Sequence, residues 1–143
     1  MKRLIALALC LASVCAAQAL AQKKKTKEKR FEPVVRQNLR DYAGRYVGVD
    51  DSYWIEISVG DDGRLAAVSH EDGREAALTD IRLEGARLTA TSVYRNGSRA
   101  EFVATFGDRV RDGVRTFGLT TESIRIELPG ITLTRIFYRR VGE

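Results

Sequence analysis

Cysteine is missing from the chain beyond residue 21, because Cys10 and Cys15 both lie in the N-terminal segment. Small exported domains are often stapled by disulfides, and this one would have none once that segment is removed. Zinc sites built on cysteine ligands are excluded by the same absence. The domain must therefore be stabilised by the burial of apolar side chains.

Proline and histidine are also scarce. Pro33 and Pro129, the two prolines, lie outside the segments predicted as strands, so they interrupt no strand. The single histidine is His70, in Ser69-His70-Glu71. Neighbouring strand residues point to opposite faces, so these three cannot form a catalytic triad. With no Gly-x-Ser-x-Gly elbow or phosphate-binding glycine loop, the sequence predicts a protein that is not an enzyme, without cofactor or metal.

The N-terminus has the three parts of a secretory signal peptide. A charged start (residues 1–3) is followed by an apolar run from Leu4 to Ala17 and by the small-residue step Ala19-x-Ala21. A membrane-spanning helix needs about 20 consecutive apolar residues, and Gln18 interrupts the run. The sequence predicts removal of residues 1–21, a periplasmic or secreted location, and no transmembrane span in the mature chain.

Lysine is absent from Phe31 onward, where sixteen arginines and eighteen acidic residues carry the charge. The basic residues just before it are Lys23, Lys24, Lys25, Lys27, Lys29 and Arg30. Residues 22–30 are interpreted as a disordered basic linker, since they have almost no apolar surface to bury. The alternative is that these six side chains attach the protein to an anionic envelope surface. Nucleic acid is not expected as a partner, because the domain itself is slightly acidic.

Apolar side chains recur with a period of two along the domain. In residues 53–59, Tyr53, Ile55, Ile57 and Val59 alternate with Trp54, Glu56 and Ser58. Alternation of this kind is typical of antiparallel strands with one buried face. Asp-Gly and Asn-Gly pairs, which are favoured in tight hairpins, separate the runs at residues 62–63, 72–73, 96–97 and 112–113.

The pattern predicts an all-β domain over residues 31–143. The predicted strands cover residues 44–49, 52–60, 64–69, 75–83, 87–94, 99–107, 114–119, 123–128 and 131–141, and a short helical turn is predicted within 33–42. Successive hairpins without a long crossover favour an eight- to nine-stranded antiparallel meander that closes into a small barrel, since closure removes the unpaired edges. A two-sheet sandwich is the alternative.

The segment Leu39-x-x-Tyr42-x-Gly44-x-Tyr46 resembles the first-strand signature of lipocalin-like (calycin-type) proteins, in which a short helix leads into Gly-x-Trp. Turn glycines and alternating apolar positions extend the resemblance over most of residues 39–139. The resemblance implies a barrel with a small-molecule-binding or accessory role. It also implies structural closure by Gly44 and Tyr46 together with Arg135 or Arg139, because a lipocalin arginine near the last strand packs across the first-strand aromatic.

Trp54 shares one strand face with Glu56 and Ser58. If these side chains point inward, they line a mixed polar and apolar cavity and are the candidate ligand-binding residues. If they point outward, Trp54 is an anchor on the surface. The period of two fits both arrangements.

Two functions remain open at this point. The first is an exported, non-enzymatic lipocalin-like barrel that binds a small apolar or amphipathic molecule. The second is an envelope-associated interaction or accessory module with a filled core, attached through its loops or its basic segment. An interior of about 300 Å³ or more would favour the first, and a core packed with Phe and Leu would favour the second.

Export with cleavage is directly testable. Mass spectrometry of the protein recovered from the periplasm or the medium should show an N-terminus at or within a few residues of Gln22, because cleavage follows the small-residue step. An uncleaved chain retained in the cytoplasm would contradict the prediction.

Overall fold

The computed structural model describes residues 30–127 and 130–142. The predicted signal peptide and residues 22–29 of the basic segment lie outside the described residues.

Nine strands and one 3₁₀ helix make up the described chain. They are β1 (Arg30–Pro33), the 3₁₀ helix (Leu39–Tyr42), β2 (Gly44–Val47), β3 (Tyr53–Val59), β4 (Leu65–Glu71), β5 (Arg74–Glu84), β6 (Arg87–Tyr94), β7 (Arg99–Arg111), β8 (Val114–Glu127) and β9 (Gly130–Val141).

The strands form a closed antiparallel barrel. Each strand from β2 to β9 pairs with the next along the chain, and β9 returns to pair with β2. The predicted all-β meander and its closure are confirmed, and the sandwich alternative is wrong. The 3₁₀ helix and the turns after β3, β5 and β7 lie at one end, called here the helix end. The turns after β2, β4 and β6 lie at the opposite end, called the rim.

Two of the predicted element boundaries are wrong. The strands predicted at 114–119 and 123–128 are one continuous strand, β8, which stays paired with both neighbours through Thr121. No glycine or proline lies between Leu119 and Ser123, where the break was predicted, and Thr121 is buried in phase with Leu119. The predicted helical turn shrinks to the 3₁₀ helix, which begins after Asn38, whose side chain accepts a hydrogen bond from the Arg40 amide at 2.9 Å.

Strand β1 was not expected from the sequence. It pairs with residues 107–110 of β7. Strand β6 pairs with residues 99–105 along the same edge of β7, so β1 continues this edge beyond the end of β6. At the junction, the Phe106 amide donates to Ala86 and the Phe106 carbonyl accepts from Val34. Arg30, placed by the sequence prediction in the linker, is therefore the first residue of β1 and pairs opposite Val110.

The helix end of the barrel is filled with large side chains. The Tyr42 and Phe106 rings lie 4.6 Å apart between centroids, and Tyr46 packs 5.9 Å from the same Phe106 ring. Leu88 and Leu119 are buried beside them. Burial of these aromatic and leucine side chains stabilises the barrel.

A pair of glycines faces the outside of the wall where β7 and β8 meet. Gly107 lies opposite Gly118 in the register. A Cβ on Gly107 would overlap the Glu32 carbonyl oxygen and lie 2.7 Å from the Phe31 ring, while one on Gly118 would overlap the Tyr138 carbonyl oxygen. The Phe31 and Phe137 rings contact each other edge to face across this flat region. The glycines therefore allow β1 and the aromatic rings to approach the wall closely.

Replacing Gly118 by Ala should lower the free energy of unfolding by about 1–3 kcal/mol, because the new methyl group meets backbone that cannot move without breaking the ladder. Gly60→Ala is the control, since its Cβ meets first the side-chain oxygen of exposed Asp62. Chemical denaturation would measure both. Equal stability of the two variants would contradict this account of Gly118.

Candidate functional site

The predicted closure residues lie at the helix end. Tyr46 is fully buried, and its hydroxyl donates a hydrogen bond to the Tyr42 carbonyl at 2.7 Å. The Tyr42 hydroxyl in turn accepts from the Arg36 amide at 2.6 Å. Tyr46 thus ties the first barrel strand to the segment that covers this end.

The arginine opposite Tyr46 is Arg140, which corrects the expectation of Arg135 or Arg139. Arg135 forms an ion pair with Glu122 at 3.0 Å, and Arg139 is exposed on the outer face. Arg140 donates from Nη1 to the Asp41 carbonyl at 3.1 Å. A Cβ on Gly44 would lie 2.9 Å from Nε of Arg140, so the glycine leaves room for this arginine.

Trp54, Glu56 and Ser58 lie on the outer face of β3. Glu56 and Ser58 are exposed, and Trp54 is half-buried between two side chains of the neighbouring strands. The Arg45 guanidinium lies 4.5 Å from the Trp54 ring, and the His70 ring lies 5.2 Å from it. The outward alternative therefore applies, and these residues do not line the interior. Ligand binding by the three residues on this face stays a prediction.

The interior carries buried polar groups that the sequence analysis did not single out. Ser69, Ser92 and Thr121 are buried on inward positions of β4, β6 and β8. Tyr138 is fully buried on β9, and this burial, with a smaller contribution from the Glu71 carboxylate, raises the pKa of the Tyr138 phenol above its usual range. The phenol is therefore neutral at physiological pH.

A cleft of about 610 Å³ opens at the rim. Strands β5 and β6 stay paired up to Ala76 and Tyr94, and beyond this pair the β4–β5 and β6–β7 hairpin tips form separate turns. The cleft lies between the two tips. It is called here the rim cleft, and it is lined by His70, Gly73, Arg74, Glu75, Tyr94, Arg95, Asn96, Ser98, Arg99 and Ala100.

The lining of the rim cleft is basic. Arg74, Arg95 and Arg99 contribute three guanidinium groups, and Glu75 contributes the one carboxylate of the lining. None of the three arginines makes an ion pair with a residue that the structure describes. Apolar surface comes from Tyr94 and Ala100. The arrangement can hold an anionic group beside a short apolar segment.

His70 forms part of the cleft wall on β4. Both ring nitrogens are shielded from solvent and make no hydrogen bond within the described part of the chain. Its ring packs against Trp54 on one side. Buried polar atoms nearly always have a partner, so this imidazole is an unusual feature of the wall.

The sequence carries a signal for this cleft in the arginines that flank two of its turns. Arg74 follows the Asp72-Gly73 turn, and Arg95 and Arg99 flank the Asn96-Gly97 turn. In an up-and-down meander, alternate turns lie at the same end of the barrel. Arginines beside the third and fifth turns of the barrel are therefore brought together, although about 20 residues separate them.

Neither a metal-binding cluster nor a membrane-spanning helix is found in the described ranges. No group of three His, Cys, Asp or Glu side chains is placed to hold a metal ion among residues 30–127 and 130–142. Over the same ranges, no helix has the length and apolar character needed to cross a bilayer.

Comparison with known proteins adds no assignment. No protein-family model matches the chain, and no curated protein or solved structure is significantly similar to it. The closed antiparallel barrel is compatible with a lipocalin-like fold, and the geometry of the site has to support any functional argument.

Tyr46→Ala should destabilise the protein by about 3–5 kcal/mol, because it removes a fully buried aromatic side chain. Tyr46→Phe keeps the ring and should cost about 1 kcal/mol for the lost hydrogen bond. Thermal or chemical denaturation would measure both variants. If Tyr46→Ala unfolds like the parent protein, the barrel does not depend on this residue for closure.

Proposed function

We propose that the protein is an exported, non-enzymatic lipocalin-like barrel that binds a small amphipathic molecule in the rim cleft. Ligand pockets in proteins usually measure about 300–1,000 Å³, and the rim cleft, at about 610 Å³, falls in this range. The size of the cleft and its mixed lining are the observation that carries the proposal.

The position of the cleft agrees with the packing of the barrel. Large side chains such as Tyr42, Tyr46 and Phe106 fill the helix end. A ligand therefore has its space at the opposite end, between the hairpin tips. This differs from a ligand enclosed along the whole barrel axis and favours a small or partly exposed molecule.

A non-enzymatic role is supported by the arrangement around His70. Ser69 and Glu71 face inward while His70 faces outward, in keeping with the alternation of strand residues. The cleft lining offers guanidinium, amide and hydroxyl groups without a nucleophile paired to a base. These groups are suited to holding a ligand.

An envelope-associated accessory module is the second candidate, and the filled helix end favours it. Strand β1 is fixed to the wall by its pairing with β7 and by Arg115, whose Nη1 lies 2.9 Å from Glu32 Oε2. The basic segment is thus joined to the barrel at Arg30, opposite Val110 near the turn that follows β7. Attachment through that segment would take place at the helix end and leave the rim cleft accessible, so the two functions are compatible.

Native mass spectrometry of the mature protein purified from the periplasm would test ligand binding. The parent protein should carry a small molecule that is released by organic extraction. Ala100→Trp, which places a large ring in the cleft, should abolish the extra mass. Val114→Trp is the matched control, because Val114 is 65% exposed at the helix end, and it should retain the ligand.

Amphiphiles added to the purified protein provide the result that would contradict the binding proposal. If the purified protein carries nothing and binds neither a neutral, a cationic nor an anionic single-chain amphiphile by calorimetry, the binding proposal is wrong.

A further inference from the structure

Three guanidinium groups converge on the rim cleft from separate parts of the chain. Arg74 begins β5, Arg95 lies in the β6–β7 turn and Arg99 begins β7. Like charges brought together repel each other, and the single carboxylate of the lining, Glu75, leaves the cleft with excess positive charge. An anion bound between them would remove this repulsion.

Some arginines elsewhere on the barrel pair with carboxylates of neighbouring strands. Arg115 lies between Glu32 and Asp108, and Arg135 pairs with Glu122. Arg74, Arg95 and Arg99 make no ion pair among the described residues and lie together in one cleft, so their guanidinium groups are available to a ligand. Guanidinium groups are well suited to carboxylate and phosphate oxygens, because their planar fork of donors forms two parallel hydrogen bonds.

The rest of the lining limits what such an anion can be attached to. Tyr94 and Ala100 offer apolar surface between the hairpin tips, which a free inorganic ion would leave uncovered. His70 forms part of the same wall and packs against Trp54, with both ring nitrogens shielded from solvent. The combination fits a charged headgroup with a short apolar chain.

We infer that the rim cleft selects amphipathic molecules with an anionic headgroup, a carboxylate or a phosphate monoester, and that Arg74, Arg95 and Arg99 hold this headgroup. The inference rests on the proposed function and adds the chemical class of the ligand. The apolar chain of the ligand lies against Tyr94 and Ala100.

Isothermal titration calorimetry with five probes below their micellar concentrations would test the selectivity. The probes are dodecanoate, dodecyl phosphate, dodecyl maltoside, dodecyltrimethylammonium and inorganic phosphate. Both anionic amphiphiles should bind about tenfold or more tightly than the neutral and cationic ones, and their affinity should fall as salt screens the arginines. Inorganic phosphate should bind much more weakly than dodecyl phosphate, because it covers no apolar surface.

Arginine variants would locate the headgroup. Each of Arg74→Gln, Arg95→Gln and Arg99→Gln should weaken dodecanoate binding about tenfold, the loss expected for a charge-assisted hydrogen bond, and should leave dodecyl maltoside binding unchanged. Arg64→Gln is the matched control, since Arg64 is an exposed arginine near Asp62 in the turn after β3, at the helix end. Circular dichroism would verify that all variants keep the strand content of the parent.

The outcomes separate the two claims. If dodecyl maltoside binds as tightly as dodecanoate and the cleft variants behave like Arg64→Gln, the anionic selectivity is wrong and ligand binding stands. If inorganic phosphate binds as tightly as dodecyl phosphate, the amphipathic ligand is wrong. If none of the probes binds, this inference is wrong, and if the purified protein also carries no ligand, the proposed function fails with it.

Discussion

The pairing of β2 with β9 is the interaction on which the rest of the structure depends. It joins the first and last strands of the meander and removes the two edges that an open sheet would expose. Tyr46 and Arg140 face each other in this pairing, and each forms a hydrogen bond with the segment that covers the helix end. The same two residues therefore help both to close the barrel wall and to hold the segment that covers the helix end. Neither contribution requires a disulfide.

Large aromatic side chains pack together at the helix end of the barrel. Tyr42, Tyr46 and Phe106 concentrate the bulk at the helix end. Nearer the rim, the inward positions of β4–β6 carry smaller residues such as Ser69, Ala76 and Ser92. The rim cleft therefore lies at the end of the barrel opposite Arg30, where β1 begins.

The rim cleft itself follows from where hydrogen bonding stops. The pairing of β5 with β6 ends at Ala76 and Tyr94. Beyond this pair the two hairpin tips separate, and their charged side chains line the space between them. Asp72, Gly73 and Gly97 have positive φ angles in these turns, and the arginines flank them. The residues that form the turns and the arginines that line the cleft therefore lie in the same short segments.

The sequence by itself determined the fold class, the hairpin order and the buried face of most strands, because a period of two and Asp-Gly turns are local signals. It could not place β1, since four residues have too little pattern to show a partner 74 to 80 residues away. It also could not choose Arg140 over its neighbours, since a one-residue change of register reverses the face of every side chain. It likewise left Trp54 undecided. The cleft was decided only by tertiary structure, because barrel closure sets which turns share an end and hence which arginines meet.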